Sequence, residues 1–211
     1  VGAGFSLHAL DSQTGQEKWK FATSGLVFSS PVVKDGVVYF GSKDKGVYAL
    51  DSQTGRLKWE FKAGDVILSS PAVADGIVYF GSSDGCLYAL DSETGQVRWK
   101  ARFAHEVFAS PSVADGIVYV GCVDGYLYAL DSQTGQEAWK FKTQDLVKSS
   151  PAVTDGVVYF GSSDHHLYAL DARTGEEIWK LETGAAIRSS PIVADGMVYF
   201  GSDDGNLYAV R

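Results

Sequence analysis

The stretch YALDSQTGRLKW at Tyr48–Trp59 decides how this chain is read, because the chain writes it five times. Its copies are HALDSQTGQEKW at His8–Trp19, YALDSETGQVRW at Tyr88–Trp99, YALDSQTGQEAW at Tyr128–Trp139 and YALDARTGEEIW at Tyr168–Trp179. In each copy an Asp and a Thr three residues apart are placed to bond each other and nearby backbone N–H groups in an Asx-type turn. The Gly that follows supplies a backbone conformation with no Cβ penalty. The indoles of Trp19, Trp59, Trp99, Trp139 and Trp179 are expected to be structural and to dock one repeat on the next. Truncating a buried Trp costs about 3–5 kcal/mol, against a total stability of only about 5–15 kcal/mol.

The rest of the chain repeats with the same 40-residue period, without insertion or deletion. Ser-Pro begins at Ser30, Ser70, Ser110, Ser150 and Ser190, and Asp-Gly follows at Asp35, Asp75, Asp115, Asp155 and Asp195. A period of this length means stacked supersecondary units. In the second repeat, Val66–Val73 reads as one strand and Ile77–Gly81 as the next, joined by Asp75-Gly76, a strong two-residue hairpin signal. Leu87–Leu90 and Val97–Phe103 read as third and fourth strands. No segment shows a 3.6-residue apolar period.

Four short strands per repeat predict an all-β fold, a β-propeller of five four-stranded antiparallel blades. A solenoid would need polar capping repeats, and the terminal repeats here look like the interior ones. The expected blades cover about 26–62, 66–102, 106–142, 146–182, and 186–210 together with 1–22, in a single domain spanning 1–211. The last blade is thus expected to be closed by N- and C-terminal strands together. One third strand, Phe5–Leu10 or Leu207–Val210, is then surplus, and that end is expected to fray or to pair with another copy as a homo-oligomer.

Composition narrows the function. The formal net charge is −8, and the 18 Lys and Arg are scattered singly, so the basic footprint of a nucleic-acid binder is missing. Of the 26 acidic residues, 15 are Asp in the series that begin at Asp11, Asp35 and Asp44, where turn chemistry explains them. No apolar run reaches the roughly 20 residues of a membrane span, and Val1–Leu10 does not read as a signal peptide. Cys86 and Cys122 fall at different repeat positions and form neither a disulfide framework nor a CxxC motif.

The pattern A-x-D-x-x-T-G-x-x-x-W resembles the tryptophan-docking motif of the PQQ-like repeat family. That family includes quinoprotein alcohol dehydrogenases and the propeller lipoprotein of the outer-membrane β-barrel assembly machinery. The resemblance covers all five copies. It implies that the motif spans the third and fourth strands of a blade, that the Ser-Pro strand is innermost, and that the compartment is periplasmic or extracytoplasmic. Members usually close with about seven or eight blades, so five is a departure. The family's enzymes hold PQQ and Ca²⁺ with Asp, Glu and Asn ligands and often carry adjacent cysteines. Here the only Asn is Asn206 and no cysteines are adjacent. The expectation is therefore no cofactor, no metal and no catalytic residues, with a PQQ/Ca-dependent oxidoreductase fragment as the alternative.

Comparing the copies within the chain locates a candidate binding face. The Asp-Gly and Asp-x-x-Thr-Gly turns barely vary. Variation gathers in the two other connections and at one strand position: Phe28, Leu68, Phe108, Lys148 and Arg188. His105, Tyr126, His165 and His166 lie in those same connections, as do Cys86 and Cys122. Loops on a rigid frame carry function, so these residues are the candidate surface for an apolar or anionic group. The expected activity is a non-enzymatic scaffold for protein–protein or protein–peptide contact. The likeness of the copies also fits recent amplification, or engineering, of one blade with no selected activity.

Overall fold

A computed structural model describes all 211 residues and contains strands and turns but no helix. The strands form six antiparallel sheets, each built from neighbours in the chain. Two compact units hold them, Val1–Arg102 and Phe103–Arg211.

In the first unit, one sheet comprises Gly2–Ala3, Ser6–Leu10 and Glu17–Ala22. The next comprises Val32–Lys34, Val37–Gly41, Gly46–Asp51 and Leu57–Lys62, and the third Ala72–Ala74, Ile77–Gly81, Cys86–Asp91 and Val97–Arg102. The second unit holds two further four-stranded sheets. One is Ser112–Ala114, Ile117–Gly121, Tyr126–Asp131 and Glu137–Lys142, and the other Ala152–Thr154, Val157–Gly161, His166–Asp171 and Glu177–Glu182. Its last sheet has three strands, Ile192–Ala194, Met197–Gly201 and Leu207–Val210.

The expectation of five sheets, the last shared by both termini, is therefore corrected. Gly4 at φ 60° turns the chain back, and Gly2 and Ala3 pair with Leu7 and Ser6. Two further bonds join Val1 and His8, from the Val1 amine to the His8 carbonyl at 2.7 Å and from the His8 N–H to the Val1 carbonyl at 2.9 Å. Leu207–Val210 pairs with Met197–Gly201, Gly201 opposite Leu207, in the register of the internal copies. Each terminal strand thus pairs within a local hairpin, where loop closure costs least.

The turns follow their residues. Asp75 and Gly76 take φ 48° and 73°, the paired positive values of a type I′ hairpin. The Asp51 carboxylate accepts from the Thr54 hydroxyl at 2.7 Å and the Thr54 N–H at 2.8 Å.

The first strand of each repeat is shorter than expected, Ala72–Ala74 instead of Val66–Val73. The preceding residues bond elsewhere. The Ile67 N–H donates to the carbonyl of Ser42, just past the Val37–Gly41 strand, and the Ser83 N–H donates to the Val66 carbonyl. The buried Ser69 hydroxyl donates to the Gly81 carbonyl and accepts from the Gly81 N–H, both at 2.8 Å. Pro71 has no N–H to offer a ladder.

Within each unit the core lies in the seams between successive sheets. Between the second and third sheets, Tyr39, Val47, Ala49 and Trp59 pack against Ile67, Val78, Phe80 and Leu90. The Trp59 indole N–H donates to the Ser92 carbonyl at 2.9 Å, and the Tyr39 hydroxyl donates to the same carbonyl at 3.1 Å. Beneath the ring sits Gly95, where an added Cβ would fall 2.7 Å from Trp59 Cδ2. Trp19 docks likewise over Gly55 and bonds Ser52, and Trp139 docks over Gly175 and bonds Ala172.

The Asp44 series does more than make a turn. The Asp84 carboxylate accepts from Tyr88 Oη at 2.7 Å, from Cys86 N–H at 3.0 Å and, across the seam, from Gly64 N–H at 2.8 Å. Burial acts to raise its pKa, but these donors outweigh it and hold the group below the usual carboxylate value.

Candidate recognition face

Burial alternates along the residues that precede the first strand of each repeat. Val27, Ile67, Val107, Val147 and Ile187 are buried, and Ser29, Ser69 and Ser149 two residues on are buried as well. The residue between must point the other way, and this is the variable series.

In the first unit, Phe28 is 59% exposed, and Lys43 Nζ stands 4.3 Å from its ring centroid. Phe28, Lys43 and Leu68 border an open cavity of about 400 Å³. In the second unit, Lys148 Nζ lies 5.9 Å over the Phe108 ring. Arg188 Nη1 is held 2.7 Å from Asp203 Oδ2, so much of its charge is already compensated. Lys148 is the better anion-facing cation of the pair.

The remaining candidates do not converge. His105 is exposed, and His165 occupies a turn at φ 75°. His166 Nδ1 sits 2.9 Å from the Asp164 carbonyl, and its ring lies beside Tyr168. Tyr126 carries two lysines near its face, Lys142 at 4.3 Å and Lys140 at 5.8 Å.

Cys86 and Cys122 are free and buried, and Cys122 donates to the His105 carbonyl at 3.4 Å. Burial pushes the Cys122 thiol up to about 12 and raises Cys86 as well. No three His, Cys, Asp or Glu side chains come together as a metal-binding group. Members of the Asp51 and Asp44 series are engaged in turns and seams.

Sequence reasoning missed a second cavity of about 460 Å³ beside the hairpin turns of the second and third sheets, where Lys34 and Lys58 face Asp35, Asp75 and Glu93. Its one sequence signal is Lys34, which stands where the other copies have Ala or Thr.

The architecture and the motif define a PQQ-like repeat protein of propeller type. The family described as outer membrane protein assembly factor BamB matches residues 1–71, 63–146 and 123–211, and the chain belongs to it. Among solved structures, the chain superposes on BamB from Moraxella catarrhalis with a TM-score of 0.85 at 22% identity, over 99% of this chain and 65% of that one. The computationally designed Ika8 protein matches with a TM-score of 0.86 at 24% identity, over 99% of this chain and 66% of that one. Quinohemoprotein alcohol dehydrogenase ADHIIG from Pseudomonas putida HK5 matches with a TM-score of 0.74 at 24% identity, over 99% of this chain and 42% of that one. The chain thus spans just under two thirds of the length of the first two structures and less than half of the third. No curated protein sequence matches it.

Proposed function

We propose that this chain is a non-enzymatic scaffold that binds a protein or peptide through the variable edge of its sheets. The observation that carries the reading is the contrast within one repeat. The turn and seam residues are held constant and bonded, while the outward position between two buried ones carries Phe28 and Leu68 beside an open cavity. Concave apolar surface with a few cations at its rim suits an apolar or acidic side chain of a partner. Membership of a family described by an assembly factor is consistent with this reading.

The test is selection from a displayed peptide library, followed by binding of the selected peptides to a Phe28→Ser/Leu68→Ser variant. Loss of binding with an unchanged circular dichroism spectrum supports the reading. Peptides that bind the variant equally well place recognition elsewhere. Addition of PQQ and Ca²⁺ tests the alternative, and appearance of a bound quinone chromophore with alcohol oxidation would overturn the scaffold reading.

A further inference from the structure

The cavity of about 460 Å³ between the second and third sheets lies beside their hairpin turns, at the opposite end of the strands from the variable connections. Both sheets have all four strands, and both belong to the first unit.

Its walls carry opposite charge. The second sheet contributes the ammonium groups of Lys34 and Lys58, and the third contributes the carboxylates of Asp75 and Glu93. Asp35 adds a further carboxylate beside Lys34. No ion pair joins these groups to one another. The floor between the walls is apolar, with Val37 and Tyr39 buried and Val73 half-buried. Its polar atoms are already used, because the Tyr39 hydroxyl and the Trp59 indole both donate to the Ser92 carbonyl.

The charged residues depart from the repeat. Lys34 stands where the other copies have Ala or Thr, and Glu93 where they have Gln or Arg. Lys58 departs by its contacts. At the same repeat position Lys18 pairs with Asp11 at 3.0 Å and Arg98 with Asp91 at 2.7 Å, whereas Lys58 borders the cavity. The corresponding seam of the second unit carries Ala114, Ala138 and Arg173 in the places of Lys34, Lys58 and Glu93. Two exceptional side chains from different repeats and one released lysine thus meet at a single concavity.

The arrangement selects among ligands. No three carboxylates converge closely enough to hold a metal ion. Burial raises the Tyr39 phenol above its usual pKa, and the Asp35 and Glu93 carboxylates act in the same direction. The floor therefore sits in a negative field that opposes a simple anion. A molecule with both charges satisfies both walls. We propose that this cavity binds a short zwitterionic peptide, about two residues long with both termini free. Its carboxylate meets Lys34 and Lys58, its ammonium meets Asp75 and Glu93, and its side chains lie on Val37, Tyr39 and Val73. Charge-assisted hydrogen bonds at both ends fix its direction, and an apolar floor with a few polar groups is the usual build of a small-ligand site. A free amino acid carries both charges on one carbon and cannot bridge walls whose own charges do not meet. The proposal is independent of what the variable edge binds.

The experiment is calorimetric titration of the chain with alanyl-leucine, its N-acetyl form, its C-terminal amide and free leucine. Alanyl-leucine should bind with a Kd of about 1 mM or tighter, and the other three about tenfold more weakly. Lys34→Ala/Lys58→Ala and Glu93→Gln write residues that other copies carry at these positions, so both variants keep the fold, as an unchanged urea midpoint will show. The lysine variant should bring alanyl-leucine down to the level of its amide and leave the amide unchanged. Glu93→Gln should weaken alanyl-leucine and leave the N-acetyl form unchanged. Loss of packing alone would weaken every form alike. No binding of alanyl-leucine, equal binding of a blocked form or of leucine, or losses that ignore the matching terminus would each overturn the proposal.

Discussion

Two alanine substitutions in the same sheet isolate what the indole–glycine contact contributes. Gly76 and Gly95 have nearly the same left-handed backbone, φ 73° and 71°. A Cβ at Gly76 meets only the Ser92 hydroxyl at 3.9 Å, whereas one at Gly95 lands 2.7 Å from Trp59 Cδ2. Both substitutions incur the left-handed penalty for an L-residue, about 1–2 kcal/mol. Gly95→Ala must also lift an 8%-exposed indole off the turn and break its bond to Ser92. Overpacking a filled site adds about 1–3 kcal/mol, so Gly95→Ala should cost about 2–5 kcal/mol in all. The assay is urea unfolding followed by circular dichroism, with m-values checked for constancy. Repeating both substitutions in a Trp59→Ala background closes a double-mutant cycle. There the excess cost of Gly95→Ala should vanish. Equal losses for the two glycines in the parent chain, or an excess that survives without Trp59, would refute the docking argument.

Other consequences follow from single contacts. Arg98, then Thr94, hold the exposed Asp91 carboxylate down to about 2, below its ordinary value of 3.8. A depressed folded pKa stabilises above the unfolded pKa and is lost as pH falls through the folded one. The Arg98→Ala deficit in urea midpoint should therefore be full at pH 7, shrink below about pH 4 and disappear below pH 2. Ser69→Ala strands the buried Gly81 N–H and carbonyl and should cost about 1–3 kcal/mol in the same unfolding assay. Cys86 and Cys122 are buried with raised pKa values. Iodoacetamide at pH 8 should leave both unmodified until denaturant is added, as read by intact mass.

Most of the architecture was legible because local chemistry and global packing agree in every copy. Asp75-Gly76 declares its hairpin, Asp51 and Thr54 declare theirs, and the Trp at fixed offset declares the seam. What escaped reading depends on partners far away in the chain. The Ser69 hydroxyl stands in for ladder bonds near Pro71, and a composition argument sees in it only a small side chain. Asp84 looks like another turn Asp until its bond to Gly64, twenty residues earlier, is known. Val1–Ala3 carries no strand signal of its own, yet with Gly4 at φ 60° it adds an edge strand to the first sheet. The variable series was legible as variable, but that Asp203 neutralises Arg188 while Lys148 lies over Phe108 is a matter of rotamers that no repeat comparison contains.

The division between constant and variable residues has a physical origin. In the seam between the second and third sheets, Tyr39, Trp59, Asp84 and Gly95 each bond or contact a group of the neighbouring repeat. A change at any of them costs stability at once, on a scale comparable with a large part of the total. Phe28, whose side chain points away from the seam, is bound by no such cost, and most of its ring is exposed. Replacing it alters what the surface can bind and leaves the fold nearly untouched. Recognition on this frame is therefore expected to reside in the outward side chains between buried neighbours and in the connections beside them, while the seams are interchangeable.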